Sequence, residues 1–203
     1  MTEQIIKEYF LESDGVSLKV KIVYREGDFV RNYLLHVPEF GQGTKALIDS
    51  MKQAIIMDQE IKAEKMLDSH EVESLKLQFK EKAEAMLKKE LPQLDLATKN
   101  AITLYLLMDM LGMGKLDILL LDGDLEEVVV NNAQEPAWVY HKEFGWLKTN
   151  VFFESEEQVQ NYANIIARRG GKQITVLTPL LDTHLVTGDR ANATLFPISG
   201  KGN

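Results

Sequence analysis

The residues best suited to chemistry in this chain are three arginines near its C-terminal end: Arg168 and Arg169 in "IARRGGK", and Arg190 in "TGDRANA". Only Arg25 and Arg31 share their type; every other member of the 23 basic residues is a lysine. Lysine serves general solubility. Arginine offers a planar fork that grips two oxygens of a phosphate or carboxylate and never loses its charge. The chemistry to expect is therefore anion recognition. Each arginine also has a plainer role open to it. Arg168 and Arg169 close a helix, where cations complement the dipole. Arg190 follows a turn that carries Asp189 and lies near Asp182, either of which could pair with it.

Other candidates carry less. "SGKGN" hints at a phosphate loop, but that loop needs G-x-x-x-x-G-K-[ST] between a strand and a helix. Here Gly202 follows Lys201, and Leu195 stands where the first glycine belongs, so a glycine-rich turn is the expectation. His36, His70, His141 and His184 are scattered. Asp182, His184 and Asp189 match no metal-ligand spacing, and "DGDLEEVVVNN" lacks the twelve-residue calcium loop and reads as a turn entering a strand. No nucleophile elbow is present. Trp138, Tyr140 and Trp146 fall at cross-strand spacing, which suits packing pairs above a ligand pocket or none. No metal site and no catalytic residue is expected within these residues.

Elements must hold these side chains. "VSLKVKIVY" alternates as a half-buried strand, and "FVRNYLLHV" after the "REGD" turn completes a hairpin. "TKALIDSMKQAIIMDQEIKAEKML" predicts a helix capped at Thr44, with a stripe of Ala46, Leu47, Met51, Ala54, Ile55 and Met57. "HEVESLKLQFKEKAEAMLKKEL" predicts a second, charge-laced helix ending before Pro92. A third runs through "LATKNAITLYLLMDMLGMG", with Gly112 and Gly114 as left-handed terminators. Beyond residue 115, "EVVVN", "AWVYH" and "GWLKT" predict strands. "SEEQVQNYANIIARRGGK" predicts a helix with Ser155 and Gln158 at capping-box spacing. "QITVLTPLLD" and "RANATLFPI" predict strand-like ends. The fold class is α+β. A hairpin-plus-helices unit over residues 1–95 precedes a second α+β domain over 96–203, with the third helix free to belong to either.

Composition narrows the function. A net charge of −8 argues against nucleic acid as a partner, because neutralising phosphates needs a basic surface. The absence of cysteine removes disulfides and thiolate metal sites. The N-terminus has charges inside its apolar stretch and reads as no secretory signal. The longest apolar run carries Asp109 and two glycines and is too short to span a bilayer. A cytoplasmic chain is the expectation.

Over residues 115–200, motif order adds a resemblance. "LLLDGDLEEVVVNN", "AWVYHKEFGWLKTN" and "IARRGGKQITVLTPLLDTHLVTGDRANATLFPIS" resemble the domain preceding the motor core in type II/type IV secretion ATPases. The closest flavour is the archaeal branch, which includes archaellum and pilus assembly ATPases. The acidic turn before Leu125–Val128, Val139–Tyr140, the Gly145–Asn150 step, the Arg168–Lys172 helix end and Pro179–Arg190 follow the family order. Lys172 departs from it, standing where the family commonly has arginine. The resemblance implies a small PAS-like α+β sandwich. It implies a chain cut before a RecA-like motor domain, which would hold ATP and Mg and hydrolyse the nucleotide, while this part alone binds neither tightly. It further implies that Arg190, then Arg169 and Arg168, reach the nucleotide phosphates. It implies hexamers, with neighbouring subunits, the chain's own motor domain and a membrane platform protein as partners, peripheral at the inner face of the membrane. A self-standing α+β sensor module that binds a ligand or protein is the alternative.

Overall fold

A computed structural model describes residues 3–57, 72–185 and 188–199. Residues 58–67 of the predicted first helix, His70 and the glycine-rich residues 200–203 lie outside the described residues. The class is α+β. In chain order the elements are β1 (Glu3–Ser13), β2 (Val16–Arg25), β3 (Asn32–His36), α1 (Gln42–Ile56), α2 (Val72–Glu90), α3 (Leu96–Leu111) and α4 (Lys115–Leu121). Then come β4 (Leu125–Val129), β5 (Trp138–His141), β6 (Gly145–Thr149), α5 (Glu156–Arg169), β7 (Leu180–His184) and β8 (Arg190–Thr194).

The chain forms two compact units, and neither is one unbroken stretch. The first takes the described residues of Met1–Leu11, Lys19–His36 and Lys115–Asn203; the second takes Glu12–Leu18 and Val37–Gly114. The helical bundle therefore interrupts the sheet-bearing unit in sequence, and the third helix belongs with the bundle rather than beginning a domain at residue 96.

In the helical unit, buried positions recur every three or four residues, which puts them on one face of each helix. Ile48, Met51 and Ile55 of α1 meet Leu75, Phe79, Ala83 and Leu87 of α2 and Ile102, Leu106 and Leu107 of α3. Of the expected α1 stripe, Met51 and Ile55 are buried, while Ala46, Ala54 and Met57 are exposed and Ile48 takes the inward position. The helix starts two residues before Thr44, at Gln42, with Gly41 as N-cap and no side-chain capping bond. At α3 the cap is Asp95, whose carboxylate accepts from the Thr98 N–H at 2.9 Å and its hydroxyl at 2.7 Å. Gly112 is extended (φ −112°), and the left-handed conformation falls to Gly114 (φ 59°), whose N–H reaches the Met108 carbonyl at 3.2 Å. The β1–β2 turn, Asp14–Gly15, has positive φ at both residues, as a tight hairpin turn requires. Lys76 and Lys80 both bind the Asp14 carboxylate.

The other unit carries a six-stranded sheet in the order β1-β2-β3-β6-β5-β4. The β2–β3, β5–β6 and β4–β5 pairs are antiparallel; β3 and β6 run parallel, with Asn32 opposite Lys148 and Tyr33 opposite Thr149. Along β2, Val16, Leu18, Val20 and Ile22 are buried on one side of the pleat. At the start of α5, Ser155 Oγ accepts from the Gln158 N–H at 3.2 Å, and the Gln158 Oε1 accepts from the Glu154 N–H at 2.7 Å, one residue earlier than a standard capping box.

β7 and β8 form a separate ribbon. The residues predicted to lead into β7 instead make a tight turn, in which the Thr175 and Thr178 backbones exchange bonds at 3.1 and 3.0 Å. Pro179, with no N–H to give a ladder, delays the strand to Leu180. Ala163, Ala167, Ile174, Leu181 and Leu195 seal the ribbon to α5. The tightest point is Gly170, where an added Cβ would lie 1.9 Å from Thr183 Oγ1 and 2.8 Å from its Cβ and Cγ2. Gly170→Ala is expected to cost about 1–3 kcal/mol through overpacking. In a Thr183→Gly background, which removes all three contacted atoms, the same change should cost little. Equal losses in both backgrounds, read by urea denaturation, would contradict this contact.

Candidate functional site

The end of α5 and the β7–β8 ribbon position the arginines singled out in the sequence. Their fates differ. Arg168 turns back along its own helix and donates from Nε to the Asn164 carbonyl at 3.2 Å. Arg169 donates from Nη1 to Asp117 Oδ1 of α4 at 3.2 Å, with both side chains about a quarter exposed. Arg190 opens β8 opposite His184 and presents its fork to Asp182, Nε to Oδ1 and Nη2 to Oδ2, each at 3.0 Å. Of its two candidate partners, Asp182 is the one that pairs in this two-toothed way. Lys172, at the helix exit, donates its ammonium to the Asp182 carbonyl. Arg190, first by hydrogen bonding and then by charge, with Lys172 and His184 behind it, holds the Asp182 carboxyl below its ordinary value. Arg190 thus grips the exposed Asp182 carboxylate, while Lys172 holds the main-chain carbonyl of the same residue.

A second cluster escaped sequence reasoning. Asp122, in the turn before β4, is only 4% exposed. Its Oδ2 accepts from the hydroxyls of Tyr9 on β1 (2.6 Å) and Tyr33 on β3 (2.7 Å), and its Oδ1 accepts from the Asp124 N–H (2.9 Å). One carboxylate thereby ties the β1 edge of the sheet to the turn that leads into the β4 edge. Nearby, Lys7 binds Glu143 (3.1 Å) and Asp124 (3.5 Å). His141 is buried; its Nδ1 accepts from the Glu143 N–H at 3.0 Å, so the ring proton sits on Nε2, which has no hydrogen-bond partner among the described residues and lies 3.9 Å from Asp124 Oδ2. Burial first, and then the Lys7 charge, lowers the His141 pKa and keeps the ring neutral. The two phenol donors to Asp122 are 89 and 113 residues away from it, a separation no local pattern reveals.

Burial, reinforced by Asp122, raises the pKa of both Tyr9 and Tyr33 above the ordinary phenol value. A group whose folded pKa is raised stabilises the fold below its unfolded pKa, and that stability is lost as pH rises towards the folded value. Unfolding free energy is therefore expected to fall once pH passes about 10. Tyr9→Phe/Tyr33→Phe should flatten that fall, and equal alkaline slopes for both proteins would count against the account.

A third feature is an open cleft of about 660 Å³, lined chiefly by Ile6, Tyr24, Phe29, Arg31, Phe144 and Trp146. The Arg31 guanidinium lies over the Phe144 ring at 5.6 Å. Of the three hairpin aromatics, Trp146 lines this cleft. Tyr140 meets Trp146 edge-on across the strands at 5.4 Å, and Trp138 pairs with Lys148 in the ladder.

Three curated relatives, all from Methanocaldococcus jannaschii, resemble this chain. Uncharacterized protein MJ1288 is 33% identical over 124 residues, 57% of this chain and 49% of the relative. Uncharacterized protein MJ0781 is 35% identical over 98 residues, 48% of this chain and 13% of its own length. Uncharacterized protein MJ0900 is 33% identical over 90 residues, 44% of this chain and 16% of its own length. No family model matches the chain. The chain thus spans about half of the first relative and a far smaller part of the other two. Among the described residues, no helix is long and apolar enough to cross a membrane.

Proposed function

We propose that this chain is the N-terminal part of a secretion, pilus or archaellum-type ATPase of the archaeal branch, and that Arg190 contacts the phosphates of a nucleotide held mainly by a following motor domain. The observation that carries this reading is the Arg190 fork, bidentate on Asp182 at 3.0 Å, with Lys172 on the same residue. A guanidinium arranged to hold two carboxylate oxygens is arranged to hold two phosphate oxygens. Asp182 is exposed and can yield its place to a more highly charged anion. Arg168 is exposed and one turn of chain away from Lys172, which suits a supporting contact; Arg169, engaged with Asp117, suits holding α5 to α4. The ordered motifs over residues 115–200 and the greater length of relatives in an archaeon support the same reading.

In this reading ATP with Mg supplies the driving energy in the motor domain, and the chain's arginines stabilise charge on phosphate without titrating. Subunits assemble as a hexamer against a membrane platform protein, at the inner face of the membrane. Reading the coding sequence beyond Asn203 tests it. A G-x-x-x-x-G-K-[ST] loop between a strand and a helix is expected within about one domain length. A reading frame that lacks one removes the proposal. The open cleft favours a second reading, a self-standing binding module, which tight ligand binding by the 203-residue chain would support.

A further inference from the structure

Four of the five arginines have polar partners: Arg25 with Glu3, Arg168 with the Asn164 carbonyl, Arg169 with Asp117 and Arg190 with Asp182. Arg31 does not. Among the described residues its guanidinium makes no hydrogen bond or ion pair and only lies over the Phe144 ring at 5.6 Å. Beside it, Lys148 gives its backbone N–H to the Arg31 carbonyl at 3.1 Å, and its ammonium is likewise unpaired among the described residues. Lys148 shares the exposed side of β6 with Trp146, since Leu147 and Thr149 between and beyond them are buried. Two cations side by side, without polar partners among the described residues, leave charge free to take up carboxylates in a chain of net charge −8.

The apolar surroundings are as unusual. Phe29 at the β2–β3 loop is fully exposed, and Tyr24 and Trp146 are each 43% exposed around the same cleft. Aromatic side chains and arginine are what well-packed interface centres are enriched in. The cleft's openness decides the kind of occupant. A small molecule bound tightly has most of its surface enclosed, which this cleft does not offer. A segment of another protein needs only anchor side chains to fit. A single nucleic-acid strand would also stack on aromatics, but its repeated phosphates would meet an acidic surface after the first contacts.

We infer that this cleft is a docking site for an acidic segment of a partner protein, in which an aromatic or leucine side chain packs against Phe29 and Trp146 while neighbouring carboxylates engage Arg31 and Lys148. The guanidinium fork takes one carboxylate bidentately, and the Phe144 ring beneath holds it flat. This inference is independent of the nucleotide reading and gives the second reading its ligand.

Fluorescence anisotropy of a labelled hexapeptide, acetyl-Asp-Glu-Phe-Asp-Glu-Leu, titrated with the 203-residue chain at low salt tests it. Saturable binding is expected. Arg31→Glu should weaken it by about tenfold or more, as loss of a charge-assisted fork implies. The same variant should gain affinity for the matching peptide with lysine in place of each acid. Phe29→Ser should weaken both pairings. All three side chains are exposed, so melting temperatures should hold; should Arg31→Glu melt early, Lys148→Glu carries the same test. No saturation, or equal affinity of wild type and Arg31→Glu, overturns the inference. So does preferential capture of an oligo-dT strand over the peptide. Self-association of the chain that Arg31→Glu abolishes also overturns it, by making the cleft a contact between copies.

Discussion

Asp122→Ala is expected to lower the unfolding free energy by about 3–5 kcal/mol, the range for breaking a buried, hydrogen-bonded charge network. The Asp122 carboxylate collects bonds from two phenols and a backbone N–H. Its removal leaves the Tyr33 hydroxyl, which has no solvent exposure, with only the neighbouring Tyr9 hydroxyl to pair with. Tyr9 is half-buried and can turn towards water, which limits the loss on that side. The asymmetry between partners gives an internal control. Tyr33→Phe keeps the ring, removes one donor and leaves Asp122 with Tyr9 and the Asp124 N–H, so it should cost only about 1 kcal/mol. Urea denaturation reads both values. A loss near 1 kcal/mol for both variants, about the worth of one ordinary hydrogen bond, would mean that Asp122 does not join the edges of the sheet.

On the proposed nucleotide reading, Arg190→Ala in a protein that joins this chain to a motor domain is expected to cut ATP turnover by about a hundredfold or more, in line with arginines that stabilise charge on a transferring phosphoryl group. Folding should be untouched, since the Arg190–Asp182 pair is exposed on both sides and such pairs add little stability. Arg190→Lys separates charge from geometry. It keeps the cation but loses the fork, and should recover only part of the rate. Asp182→Ala should leave turnover at or above the wild-type level, because it removes the carboxylate that occupies the fork. Wild-type turnover in a stable Arg190→Ala protein would remove Arg190 from the nucleotide site.

What was legible in the sequence was local. The β2–β3 hairpin follows from alternation around "REGD", and α5 follows from Ser155, a clear apolar face and the glycines after Arg169. β1 was not foreseen, because "EQIIKEYFLES" doubles its apolar residues and buries none of them fully. α4 was not foreseen, because seven residues of "KLDILLL" carry the apolar run of a buried strand and only tertiary burial of Leu116, Ile118 and Leu119 selects a helix. The arginines stood out by type, and the Arg190–Asp182 option was visible from spacing. The Asp122 lock and the Arg31 cleft were not, since each gathers residues more than a hundred positions apart on strands whose order only the folded sheet decides.

The most direct measurement is phosphate release from ATP by the full-length product of the reading frame, carrying the motor domain that the proposed reading requires, beside that by the 203-residue chain. The account predicts steady, Mg-dependent turnover by the complete product and none by the chain alone. Turnover by the chain alone, or none by a folded complete product, would contradict it.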